Sequence, residues 1–216
     1  MTTLQATERH LRLATAGVWL LPAYAFCLAL STLTHEPDHS EDFAAWSRYV
    51  TTDVFVVSHV GLSILGAGLG LVGVVCALVL MLPGPASGTA LVATALTIVG
   101  NVLFTSIFAA AAYAQPAIGR AFLDGMPGAE SLYDQVYGAP LLTAFALGAL
   151  TFVSGALLLG RALARTTPAL RFAGWTYGVA LVVFLVAGFT VSVLQPVAAA
   201  VACAAGVVVA LRLPAS

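Results

Sequence analysis

Six stretches of mostly apolar residues, at about 11–33, 54–82, 88–114, 140–163, 172–193 and 196–212, follow one another along the chain. Each is near the roughly 20 residues that a helix needs to cross the hydrocarbon of a bilayer. A backbone inside lipid must satisfy its own hydrogen bonds, and a helix does so within one segment. Composition points the same way: 61% of the 216 residues are hydrophobic and only 8% are charged, where a soluble domain carries roughly 25%. The expected fold is therefore all-α, a polytopic integral membrane bundle of six transmembrane helices forming one domain over residues 1–216. The lipid bilayer is its first partner. The sixth stretch opens at Pro196, where a missing backbone donor is tolerated at a helix start, and "SVLQP" (192–196) reads as the turn before it.

Arginine placement supplies the orientation. The cytoplasmic side of a membrane protein collects the positive charge. With the amino terminus inside, Arg9, Arg12, Arg161, Arg165, Arg171 and Arg212 fall on that side, and only Arg48 and Arg120 on the other. Eight of the nine acidic residues lie on the outer side, Glu8 being the exception. Both termini are expected in the cytoplasm, with residues 34–53 and 115–139 as extracytoplasmic loops. The stretch after Arg12 is too long for a secretory signal, whose apolar core is about 7–15 residues, and reads as a retained helix. The chain has Arg but no Lys, as a GC-rich bacterial genome would give, so the expected location is a bacterial plasma membrane. The basic residues form no dense patch, which disfavours nucleic acid as a partner. Cys27, Cys76 and Cys203 sit in apolar stretches without ligand spacing and read as small buried hydrophobes.

The two outer loops are the longer ones. In residues 34–53, Asp38 with Glu41 resembles a capping pair, Ser40 is a rival cap, and Phe43, Trp46 and Tyr49 or Val50 form the apolar face of a short interfacial helix. Residues 115–139 hold the breakers Pro116, Gly125, Pro127 and Gly128, then a helical turn with Tyr133 and Tyr137. The segment "HEPDH" (35–39) satisfies the His-Glu-x-x-His pattern of zinc peptidases. That chemistry needs both His on one helical face, and Pro37 blocks a helix through the segment. A weaker possibility has His35 and His39 binding a metal from an irregular loop. No metal and no cofactor are expected.

Polar residues inside apolar helices carry more information, because in lipid each needs a partner or a cavity. In the second helix His59, Ser63, Gly66, Gly70 and Gly73 recur at steps of four and three, a face that lets another helix come close. In the third, Ala90, Thr94, Thr97, Asn101 and Thr105 form a polar stripe, with Asn101 near the bilayer midplane. If these helices are neighbours, they enclose a slot opening outward. Tyr24 and Pro22 mark a kink in the first helix that faces the interior. Trp19, Trp175 and Tyr177 read as anchors at the inner interface.

Three functions fit this pattern. The leading one is binding of a lipid or other hydrophobic small molecule, or a partner helix, in the slot, with Asn101, Thr97, Thr105, Ser63 and Tyr24 as ligand contacts. The alternatives are a membrane-embedded enzyme acting on a lipid-like or isoprenoid substrate, with His59 and Asp53 as acid/base pair, and a small-molecule facilitator or export component. The lack of Asp, Glu, Arg or Lys near any midplane disfavours an ion-coupled transporter with a central carboxylate.

Overall fold

The computed structural model of the chain describes residues 3–34 and 36–213, with side chains from residue 8 onward. All regular structure among these residues is helical. Six helices are long and apolar enough to cross a membrane: Glu8–Ser31, Asp53–Met81, Ser87–Leu123, Ala139–Thr166, Pro168–Thr190 and Leu194–Arg212. The last two both qualify, so the carboxyl-terminal third is a full helical hairpin.

Each of the six packs on its neighbours in the chain, and the sixth closes on the first. The result is an up-and-down ring around a common axis. One end of it carries the helix ends with Arg161, Arg165, Arg171 and Arg212. The opposite end carries residues 34–53 and 124–138, with most of the acidic side chains. The first is the arginine end of the ring and the second its acidic end. Large apolar side chains such as Leu65, Val72, Leu91, Leu150, Phe172 and Leu211 stand exposed around the outside of the ring, as contact with a bilayer requires.

Small residues set how closely the helices approach, because within lipid their association depends on packing rather than on escape from water. At the seam of helices three and four, a Cβ on Gly100 would lie 2.7 Å from the backbone nitrogen of Phe152, and one on Gly155 would lie 2.8 Å from that of Thr97. Gly206 of helix six faces Pro22 of helix one. The stripe of Gly66, Gly70 and Gly73 in helix two faces Cys27, Tyr24 and Leu21 of helix one, and helix three lies on another side.

Three helices depart from α-geometry. Helix one runs as Thr3–Gly17 and resumes as Leu20–Ser31. Pro22 has no N–H to offer the carbonyl of Val18 four residues back, and that carbonyl instead accepts from the Leu21 amide at 3.0 Å. The expected kink thus falls one turn before the proline. Helix two has a π-segment at Ser58–Ile64 and helix three one at Ala110–Ala114, and the two segments are adjacent. The second lets helix three continue through Pro116 as Gln115–Leu123. The apolar stretch read from sequence ends at about 114, with Pro116 as a breaker in the loop beyond it, whereas the helix runs on to Leu123. A wider turn frees the carbonyls that the pyrrolidine ring would otherwise strike.

The acidic end is capped by a separate aromatic cluster. A short helix at Phe43–Val50 is capped by Asp42, whose side chain accepts from the Ala45 amide at 2.8 Å. Asp38, the expected cap, instead accepts from the Ser40 amide and hydroxyl in its own turn. Trp46, Val50 and Phe55 are fully buried against Ala111 and Ile118 of helix three, with Leu132, Tyr133 and Val136 of a second short helix, Ala129–Val136, packed on them.

Candidate functional site

The ring is open at the acidic end. A vestibule of about 670 Å³ is walled by Ser31 at the end of helix one, Thr32 and Thr34 after it, Glu36 and Tyr49 of the cap, Ser58 and His59 of helix two, Ser192 before helix six and Gln195 in its first turn. Deeper lies a chamber of about 280 Å³ to which all six helices contribute. Its walls are mostly apolar, with five rings: Phe104, Phe108, Phe145, Phe184 and Phe189. Ser31, Thr32, His59, Gly188 and Gln195 line both compartments, so the two adjoin, polar at the mouth and aromatic in depth.

The sequence builds this boundary locally. His59 lies in the π-segment, and its Nδ1 is 2.9 Å from the carbonyl oxygen of Phe55. A carbonyl only accepts, so Nδ1 carries the proton of this hydrogen bond. The Phe55 ring packs on the imidazole at a centroid distance of 4.2 Å. Ser63, one π-turn further, is buried, donates to the Ser58 carbonyl and lines the chamber. Across the axis, Gln195 packs against Gly188, where a Cβ would lie 2.5 Å from its Nε2.

Below the chamber the axis narrows. Tyr24, Thr97, Asn101 and Tyr177 surround a void of about 10 Å³ together with Gly70 and Phe152, which is about the space of one water molecule. Asn101 Nδ2 donates to the Thr97 carbonyl at 2.9 Å, and Thr97 Oγ1 is buried without a hydrogen-bond partner among the described residues. Further toward the arginine end Val18, Leu21, Met81, Leu159, Leu163 and Leu170 are fully buried and fill the ring. The cavity is therefore closed toward the arginine end.

The residues singled out from sequence are thus distributed over three levels. His59 and Ser63 line the cavity, while Tyr24, Thr97 and Asn101 meet in the constriction beneath it. Thr105 donates to the Asn101 carbonyl at 2.8 Å and lines neither compartment. Asp53 is exposed in the first turn of helix two, makes no ion pair with His59 and lines neither compartment. The cavity is not confined to the seam of helices two and three, since all six helices contribute to it. Tyr177 is 1% exposed and belongs to the constriction, in contrast to the interfacial place expected for it, whereas Trp19 and Trp175 are exposed.

Sequence reasoning passed over Ser31, Thr32, Gln195 and the phenylalanines. The phenylalanines did leave a signal, for Phe104 and Phe108, Phe145, and Phe184 and Phe189 sit on three different helices. In the "HEPDH" segment residues 36–38 are non-helical. Glu36 accepts a hydrogen bond from Trp46 Nε1 at 2.9 Å, and the His39 ring stacks on Tyr133 at 4.0 Å. His35 lies outside the described residues. No group of three or more metal-ligating side chains occurs among the described residues.

No family model, curated protein or solved structure matches the chain.

Proposed function

We propose that the protein binds an amphipathic small molecule, with its apolar part in the phenylalanine chamber and its polar head in the vestibule, and that the acidic end faces away from the cytoplasm. The single observation that carries this reading is the shared wall of His59, Ser31, Thr32 and Gln195, which joins a polar compartment to an apolar one. Ligand pockets are commonly apolar hollows of about 300–1,000 Å³ with a few polar groups that fix orientation, and this cavity falls in that range. The six-to-two arginine split supports the orientation.

The test is saturable binding of radiolabelled decanol to the protein in nanodiscs. Ser63→Trp fills the chamber and is expected to abolish the saturable component. Leu65→Trp, which alters an exposed side chain two residues on, should keep it. Strictly linear uptake, or equal saturable binding by both variants, would sink the proposal.

A further inference from the structure

The charge of the cavity narrows the class of ligand. Among the described residues only one formally charged side chain lines either compartment, the carboxylate of Glu36. It is held at the vestibule wall by the indole N–H of Trp46, which is completely buried and cannot follow a ligand out. The two arginines of this end, Arg48 and Arg120, are exposed and line neither compartment. Among the described residues a phosphate or sulfate head would therefore meet a carboxylate and no arginine, and like charges repel. The remaining vestibule groups do not reverse that preference. Tyr49 presents an aromatic ring, and ring faces attract ammonium groups by about 0.5–2 kcal/mol. Ser58 and Ser192 offer hydroxyl oxygens as acceptors. Asp38, Glu41, Asp42 and Asp53 stand exposed on the same end and raise the local concentration of cations near the mouth.

We propose that the cavity selects a cationic amphiphile, an alkyl ammonium whose head sits between Glu36 and Tyr49 and whose chain fills the phenylalanine chamber. This rests on the binding function proposed above and adds the sign of the head group. The vestibule is roomy enough for a methylated ammonium, which shares the positive charge over its methyl groups and needs no hydrogen-bond donor in the wall.

The experiment compares three probes of equal chain length, decyltrimethylammonium, decanol and decyl phosphate, on the protein in nanodiscs made only of zwitterionic lipid. The saturable affinity is expected to follow the order ammonium, alcohol, phosphate, with the ammonium at least about five-fold tighter than the alcohol. Glu36→Gln keeps an acceptor for Trp46 while removing the charge, so it should bring the ammonium down to the alcohol and leave the alcohol unchanged. Raised salt should shrink the same gap in the parent protein. Equal affinity of ammonium and alcohol, a preference for phosphate, or an unchanged ratio in Glu36→Gln overturns the cationic selectivity while the cavity's binding role stands. Absence of saturable binding by all three, or binding indifferent to Ser63→Trp, overturns both.

Discussion

Gly70 of helix two lies against the ring of Tyr24 of helix one: a Cβ on Gly70 would come within 2.8 Å of Tyr24 Cγ and 2.9 Å of its Cδ1. Those are the near atoms of a ring that is 6% exposed and walls the constriction, so it has little room to retreat. Gly70→Ala should lower stability by about 1–3 kcal/mol, as overpacking does. In the double variant with Tyr24→Ala the clash is gone, so the two losses should not add. Unfolding in detergent, read by circular dichroism, measures the cycle, and strict additivity would contradict the contact.

Gly100 and Gly68 separate two reasons for glycine in a membrane helix. A Cβ on Gly100 would meet the Phe152 backbone at 2.7 Å, whereas a Cβ on Gly68 has nothing within 4 Å. Gly100→Ala should push helices three and four apart and destabilise the fold. Gly68→Ala should be neutral or stabilising by up to about 1 kcal/mol, because it removes backbone freedom from the unfolded chain. The opposite signs are the prediction, and the same unfolding assay reads both.

The glycine stripe of helix two marks where the sequence was legible. Hydropathy sums along a segment without reference to partners, so helix two, read as 54–82, is found at Asp53–Met81. Which neighbour a stripe faces is a property of the ring, and every neighbour is equally apolar. Gly66, Gly70 and Gly73 therefore gave away a close contact but not that it is with helix one. By position along the chain Trp175 and Tyr177 both fall near the inner boundary and read as anchors. On a helix two residues are about 200° apart, so when Trp175 faces out, Tyr177 faces the axis. A π-turn leaves no repeating pattern, so the positions of His59 and Ser63 relative to the glycines could not be counted at 3.6 residues per turn.

Trp46 and Glu36 tie the cap to the vestibule wall through one hydrogen bond of 2.9 Å. Trp46→Phe preserves much of the packing with Phe43 and Tyr133 but removes the N–H, and should cost about 1.5–3 kcal/mol, the range for a bond to a charged group. Trp46→Ala should cost about 3–5 kcal/mol, since the whole buried ring is lost. Limited proteolysis across residues 36–42 should speed up in both variants, and more in the second. Equal rates in the wild type and Trp46→Phe would show that the bond does not hold the loop.

Tyr133 makes the cap sensitive to alkali. Its ring stacks between His39 at 4.0 Å and Tyr137 at 4.5 Å. Burial, followed by the negative charges of Glu36, Asp38 and Asp134, pushes the phenol from an ordinary value of 10.0 up to about 12. Burial likewise raises Tyr137, next to Tyr133. A folded value above the unfolded one means that the folded cap holds its proton longer. The stabilisation is complete below pH 10 and is lost as pH rises toward 12. Phenolate absorbance should therefore contain a component titrating near 12 that Tyr133→Phe removes, and Trp46 fluorescence, isolated by Trp19→Phe and Trp175→Phe, should change over the same window. A normal tyrosine titration with an unchanged cap would mean that the stack is open to water.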